Sequence, residues 1–563
     1  MKQPIKKTRH SSGTILRTLV LPLACLVCAC TSSRIDPIGY ARLAADRIVR
    51  DAVFEVERMP QKGYGCPAVA DCVTYGDTTR IGVNPPVGAA PSSARGTIVA
   101  GADSLYLVGF TSTRDAVVRI NGRVVFKDTA PGPAFPHEIA YGIYEFPHTA
   151  SVPLKKGANT LEIVTAGKAS VGILDREGFP AAGTECSIAE YTDPQGTVHT
   201  PSPLTEYRIP IAEGAPFRKH PYTEWHYANG TTMFGMLALA DVTGDSAYYD
   251  LAERFCRFTL ENTPLYARQY YGQNSLRTQN FRMFRLSMLD DSSAPALPLL
   301  EERLRGVLQP GECDTLLERV CRFVMEEQPR LPDGTFVRPE PKWTIWADDL
   351  FMSAPFLLRW TRLTGDDTYR EEAVRQVFAY DRYLYDSVTG LYHHGWNATL
   401  GEPRGVHWGR ANGWVAWAVS ETLSALPEEH PAFGKIRELH RRHLARVCEY
   451  QTENGLWHQI LDDTTSYTET SASAIFVMAM ARGIRRGWLD ESFRDNALRG
   501  WSGVESRIDP ATGVVSGICQ STAIGPDPQF YKERKTPPSD PRGMGAVLTA
   551  AAEVERMLRG DDK

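Results

Sequence analysis

Thr243-Gly244-Asp245-Ser246-Ala247-Tyr248-Tyr249-Asp250-Leu251-Ala252 is echoed further along the chain by Thr364-Gly365-Asp366-Asp367-Thr368-Tyr369-Arg370-Glu371-Glu372-Ala373. In each stretch a glycine stops one helix, an aspartate caps the next, and Tyr and Ala follow at helical spacing. From Tyr222 onward, segments of helical period alternate with Gly-containing loops. Helical hairpins repeated over ~340 residues bury a core by closing into a ring, so the expected fold is mainly α, an α/α barrel. The loops and helix N-termini at one end of such a ring line its cleft. Carboxylates and aromatics there carry the most functional weight.

Upstream the texture changes. Asp36–Arg58 reads as one helix, with Asp36-Pro37 as cap and first-turn proline and Tyr40, Leu43, Ala44, Ile48 and Val49 on one face. Between about Pro60 and Pro210, Gly and Pro are frequent and short β-rich runs appear: Ser104–Phe110, Ala116–Ile120, Arg123–Phe126 and Thr160–Thr165. Asn121-Gly122 joins two of these runs as a hairpin turn, and Lys156-Gly157-Ala158-Asn159 is a second turn. The expected layout is a leader over 1–30, an N-terminal helix over 31–59, a β-sandwich accessory domain over 60–210 and the barrel over 211–563.

The leader is a charged-then-apolar stretch. Lys2, Lys6, Lys7, Arg9 and Arg17 precede an apolar run from Thr18 to Ala29, too short for a stable membrane span. It ends Val27-Cys28-Ala29-Cys30, which resembles a bacterial lipobox with Cys30 as the lipid-bearing residue. A plain signal peptide cut nearby is the other reading. An exported lipoprotein facing the outer membrane or periplasm is expected, touching the membrane only through its lipid. Eight cysteines follow Cys30. None has the paired Cys-x-x-Cys spacing of a zinc site. A net charge of -5 over 563 residues argues against a nucleic-acid partner. No P-loop, dinucleotide glycine pattern, Gly-x-Ser-x-Gly elbow or His-Glu-x-x-His site occurs.

Three constellations carry chemistry. In Trp343-Thr344-Ile345-Trp346-Ala347-Asp348-Asp349-Leu350, two carboxylates open an apolar helix beside two indoles. A helix cap accounts for one aspartate. An acid walled by indole is desolvated, which favours the protonated form that a general acid needs. Leu289-Asp290-Asp291-Ser292-Ser293 is a second Asp pair opening a helix, and carboxylates meeting in one cleft raise each other's pKa. In His407-Trp408-Gly409-Arg410-Ala411-Asn412-Gly413-Trp414, Arg410 offers a planar fork for a carboxylate and Trp414 a stacking plane for a ring. The competing reading is a structural Arg410 on helix-end carbonyls with Trp414 in the core. Smaller pieces are Trp225-His226-Tyr227, His393-His394-Gly395-Trp396 and Trp457-His458-Gln459.

In this order, and together with Ser466-Tyr467-Thr468-Glu469-Thr470-Ser471, these motifs resemble the unsaturated glucuronyl and rhamnogalacturonyl hydrolases of glycoside hydrolase families 88 and 105. The likeness covers about Tyr222 to Leu558. It implies a six-hairpin (α/α)6 barrel and no metal or cofactor. It also implies a glycoside hydrolase that removes a 4,5-unsaturated uronic acid from the non-reducing end of lyase-generated oligosaccharides. By this resemblance Asp348 is the general acid and the base that activates water. Asp290 or Asp291 is the second carboxylate, with Asp291 favoured. Trp225, Tyr227, Trp346, His394, Arg410, Trp414 and His458 form the sugar subsite. The β-rich segment departs from the family plan and reads as an insertion after a first barrel helix. Ala411 in place of Gly and Ser292-Ser293 in place of Cys-Gly bear on substrate choice. Two alternatives stay open: a lipid-anchored, non-catalytic glycan-binding protein, and another glycosidase or lyase on the same barrel.

Overall fold

The first helix begins where the sequence puts its cap: the Asp36 carboxylate accepts the Gly39 N–H at 2.8 Å. In the computed structural model it spans Pro37–Asp51 (α1) and buries Ala41, Ala44, Ala45 and Ile48. The expected continuation to Arg58 fails after Asp51, because Ala52 turns extended. Phe54 leaves the helical path to meet Phe258 edge-on and to lie under the Arg254 guanidinium. The structure describes residues 35–54, 59–65, 73–74, 80–83, 92–132, 137–140, 143–167, 169–174, 181, 183–192, 195–199, 202–208, 222–267, 280–338 and 343–561. The leader, Cys30, Cys66 and Cys72 lie outside them.

After α1 comes an antiparallel β region. One sheet has the order 148–154, 104–112, 169–174, 80–83; another has 198–199, 185–192, 92–100, 157–165, 116–120, 123–127. Strands of both sheets feed one apolar cluster, including Val108, Phe110 and Val171 from the first and Ile98, Val118, Leu161 and Ile163 from the second. The Asn121-Gly122 turn has positive φ at both residues (50° and 73°), the left-handed geometry that a two-residue hairpin needs.

The remaining helices are α2 (Tyr227–Thr243), α3 (Ser246–Ala267), α4 (Phe281–Arg285), α5 (Leu289–Leu304), α6 (Asp314–Arg322), α7 (Asp348–Thr364) and α8 (Thr368–Leu384). They continue with α9 (Gly409–Ala425), α10 (Phe433–Glu449), α11 (Thr470–Arg485), α12 (Arg494–Glu505), α13 (Pro528–Lys532) and α14 (Pro541–Arg559). Packing runs α2–α5–α7–α9–α11–α14 and back to α2, a closed inner ring. Of these, α2, α9 and α11 are buried along nearly their whole length, as elements packed on every side must be. The outer layer is α3, α6, α8, α10, α12 and α1, the last of which packs on α14, α3 and α12. The sixth hairpin is therefore made by the first and last helices among the described residues. Arg42 to Asp245 (2.8 Å) and the Tyr248 hydroxyl to Asp46 (2.8 Å) fix α1 to the α2–α3 joint.

The joints read from the sequence are present. Gly244 and Gly365 take φ of 69° and 76° at the ends of α2 and α7. Asp245 and Asp366 then accept the Ala247 and Thr368 N–H groups. The ring closes on a glycine seam: a Cβ on Gly545 would sit 2.1 Å from the Thr231 carbonyl oxygen, and one on Gly235 2.6 Å from that of Gly545.

The two ends of the ring differ. At the C-terminal ends of the inner helices, Arg359, Glu421, Arg482 and Glu553 form a buried ion network (Arg482 to Glu421, 2.6 Å; Arg359 to Glu421, 2.9 Å). Cations there complement the negative ends of the helix dipoles. At the N-terminal end, side chains from the starts of α2, α5, α7 and α9 border a cavity. Among the described residues no helix is long and apolar enough to cross a membrane.

Candidate active site

The cavity holds about 440 Å³ and is walled by Tyr227, Asp290, Asp291, Trp346, Asp348 and Arg410 from the residues expected, plus Arg282, Arg338, Trp408 and the segment Ser521–Ile524. Three guanidinium groups and three carboxylates share its wall, at the N-terminal ends of the inner helices.

Asp348 is the first residue of α7, and the strand Thr344–Trp346 delivers it. That strand pairs with Gly395–Asn397, setting Trp346 opposite Gly395. The pairing carries His394 to the same wall, where its carbonyl accepts the Ala347 N–H at 3.0 Å. His394 Nε2 lies 3.4 Å from Asp348 Oδ2. Its Nδ1 is 2.8 Å from the Tyr531 hydroxyl, whose oxygen already accepts the Gly525 N–H. A phenol whose oxygen is so engaged has its O–H left to give, and His394 Nδ1 is there to accept it, leaving a proton on Nε2 that faces Asp348. Burial holds the imidazole below its usual pKa, against the pull of Asp348. Tyr531 was not among the residues singled out from the sequence, and no local motif marks it.

The two carboxylates of the second pair have different jobs. Asp291 is buried and bound by Arg282 (Nε, 2.9 Å) and by Arg285. Asp290 faces Arg338 at 3.5 Å, and its Oδ1 has no hydrogen-bond partner among the described residues. Burial pushes Asp290 up to about 6; Arg338 opposes this and Asp291 reinforces it. Burial works against the charge on Arg338, but Asp290 and Asp349 outweigh it and hold the guanidinium protonated. Its Nε grips both oxygens of Asp349 at 3.1 and 2.9 Å, and its Cζ lies 4.5 Å from the Trp346 ring centre. Asp349 is thus a buried anchor for Arg338.

Arg410 borders the cavity, yet its amino groups donate to the carbonyls of Cys519 (2.6 Å) and Gln520 (2.8 Å). It fixes the segment that continues into Ser521–Ile524. Trp414 does not reach the cavity. It is 1% exposed and stacks on Phe351 and Trp417 in the ring core. The indole on the wall is Trp408, just before α9, with Arg410 4.8 Å from its ring centre. Trp225 is also buried away from the cavity, its Nε1 donating to the Asp291 carbonyl. His458 stands apart as well, with Nδ1 2.5 Å from the Ser466 carbonyl oxygen.

Around this one cavity, Asp290 Oδ1, Asp348 Oδ2, Trp346 Nε1 and Trp408 Nε1 are all buried without a hydrogen-bond partner among the described residues. Buried polar atoms are ordinarily satisfied, so such a cluster calls for a polar ligand.

Residues 208–558 match the model of glycosyl hydrolase family 88. The chain belongs to that family. It is a glycoside hydrolase. Among relatives, an unsaturated rhamnogalacturonyl hydrolase of Bacillus subtilis, YesR, is 32% identical over 245 residues, or 42% of this chain and 68% of the relative. An unsaturated 3S-rhamnoglycuronyl hydrolase of an Alteromonas species is 32% identical over 221 residues, 38% of this chain and 51% of the relative. The family 88 chain shares its fold with a possible family 105 member from Salmonella enterica (TM-score 0.53, 23% identity, 60% of this chain and 84% of that one). A family 105 hydrolase from C. acetobutylicum is similar too (TM-score 0.52, 21% identity, 59% and 95%). These likenesses identify the helical ring as an α/α barrel.

Proposed function

We propose that this chain hydrolyses oligosaccharides ending in a 4,5-unsaturated uronic acid, by hydration of the ring double bond. The observation that carries the reading is the pairing of Asp348 and Asp290 on one cavity with three guanidinium groups. Asp290 Oδ1 has no hydrogen-bond partner among the described residues, and Asp348 Oδ2 meets only His394 Nε2, at 3.4 Å. Guanidinium and indole N–H donors set beside two acids suit a ligand that carries a carboxylate on a sugar ring.

In this reading Asp348 delivers its proton to C4 of the sugar. The electrons of the C4–C5 double bond form the new C–H bond, and positive charge develops at C5 and the ring oxygen. Ionised Asp290 faces that charge and stabilises it. Water then attacks C5, giving its proton to the Asp348 carboxylate, which restores the acid. The resulting hemiketal opens and releases the rest of the sugar. Arg338 Nη1, which faces Asp290 Oδ2 at 3.5 Å and Met288 Sδ at 3.6 Å rather than Asp349, is the donor that a substrate carboxylate would meet, and Trp346 and Trp408 offer apolar faces and N–H donors to the ring. The second carboxylate is Asp290, not Asp291, because both oxygens of Asp291 are committed to Arg282 and Arg285. We also read the two sheets with their common core as a β-sandwich accessory domain between α1 and α2.

The test is a panel of lyase-generated oligosaccharides followed at the absorbance of the conjugated uronate, with saturated counterparts alongside. Loss of absorbance with unsaturated substrates alone supports the reading. Turnover of the saturated sugars instead would replace it with displacement at the anomeric carbon.

A further inference from the structure

Behind the wall that carries His394 lies a second group of side chains. Asp386 ends the strand Tyr385–Asp386, His393 follows its partner strand Leu391–Tyr392, and His407 stands two residues before α9. The two imidazoles tilt against each other with ring centres 4.5 Å apart. One ligand atom from each of the three residues lies within 4.8 Å of the others. His407 is 8% exposed. Its Nδ1 meets Asp462 Oδ2 at 2.7 Å. Its Nε2 is buried, 3.5 Å from Asp386 Oδ2, and has no hydrogen-bond partner among the described residues.

That arrangement is what a metal-binding histidine needs. A carboxylate on Nδ1–H fixes the tautomer and aims the Nε2 lone pair at the cluster centre. Asp386 is held in place by the Val388 N–H (2.9 Å) on Oδ1 and the Thr389 hydroxyl (2.8 Å) on Oδ2, and each oxygen keeps a second lone pair. Asp386 and His393 are only half-buried, which leaves a way in from solvent.

We propose that Asp386, His393 and His407 bind a divalent transition-metal cation of the zinc type, with water completing the shell and Asp462 orienting His407 from outside it. Two imidazoles and one carboxylate suit that class. Neighbouring ligand atoms at tetrahedral zinc stand about 3.3 Å apart, so the side chains draw in by rotation. The cation would tie the 385–392 hairpin to the start of α9. It would also brace His393, and with it the next residue, His394, which faces Asp348. It touches no substrate. The competing account is a protonated His407 bridging two carboxylates with no ion between.

The experiment uses the full, untagged chain, stripped with a chelator, dialysed and titrated with zinc chloride by calorimetry. Saturable binding of one zinc per chain is expected. His407→Ala and Asp386→Asn should each weaken it at least tenfold, and Asp462→Asn ten- to a hundredfold, with unchanged circular dichroism. Cobalt chloride should give visible ligand-field bands that the same variants lose. Absence of saturable binding to the parent chain overturns the proposal. If His407→Ala does not fold, the half-buried His393→Gln decides: unaltered zinc affinity in that variant overturns it equally.

Discussion

Asp348 Oδ2 and His394 Nε2 face each other at 3.4 Å, and neither atom has another hydrogen-bond partner among the described residues. The imidazole, backed by Tyr531, orients the acid without competing for its proton. Asp348→Asn is expected to lower kcat by about 10³-fold or more, the scale of general acid–base catalysis, with an unchanged far-ultraviolet spectrum. His394→Gln should cost less, about 10- to 100-fold, because it removes orientation and leaves the acid. A fully active Asp348→Asn would remove the mechanism.

Asp290 gives a pH signature in stability. Its folded pKa of about 6 lies above the ordinary 3.8. Below pH 4 both folded and unfolded chains hold the proton, and there is no penalty. Between 4 and 6 the unfolded chain releases a proton that the folded chain keeps. Above 6 the folded chain carries a buried charge at the full cost of about 1–3 kcal/mol. Asp290→Asn should therefore melt higher than the parent at pH 7.5, and the two curves should converge near pH 4. A constant offset across that range would contradict the assignment.

Asp291 predicts the opposite. Removing it takes from Arg285, 1% exposed in its side chain, the carboxylate it binds, while Arg282 keeps Glu224 at 2.7 Å. Asp291→Ala should destabilise by about 3–5 kcal/mol in chemical denaturation, the usual result of halving a buried ion pair. Equal stability of Asp290→Asn and Asp291→Ala at pH 7.5 would mean the two carboxylates are interchangeable.

The glycine seam sets a packing limit. Gly545→Ala puts a methyl group against the Thr231 carbonyl and should cost about 1–3 kcal/mol. Gly434→Ala on α10 has nothing within 4 Å of the new Cβ and should be neutral or stabilising by about 0.5–1 kcal/mol. Thermal melts of the pair separate crowding from helix propensity.

What the sequence reveals here follows the range of each interaction. The cap at Asp36, the Gly244-Asp245 and Gly365-Asp366 joints and the Asn121-Gly122 turn are decided within a few residues, so they could be read directly. The Asp pairs were visible for the same reason, since both open helices. Which aspartate of the second pair keeps an oxygen free depends on Arg282, Arg285 and Arg338, brought in from other segments. Helical spacing puts Trp414, four residues after Arg410, on the same face as that arginine, and so favours it as the stacking plane. Only the start of α9 at Gly409 reveals that Trp408 precedes the helix on the cavity side, while Trp414 is a full turn inside it. Tyr531 reaches His394 across 137 positions, and no local spacing announces that contact.

Because α1 and α14 lie far apart in the chain, the barrel has no closed state until α14 has been made. On the ribosome, α1 can meet α2 and α3 early, but its apolar stripe of Ala41, Ala44, Ala45 and Ile48 waits for α14 until the residues between Asp51 and Pro541 have emerged. A nascent chain halted before Pro541 would present an open horseshoe with two sticky lips, one at α2 and one at α11.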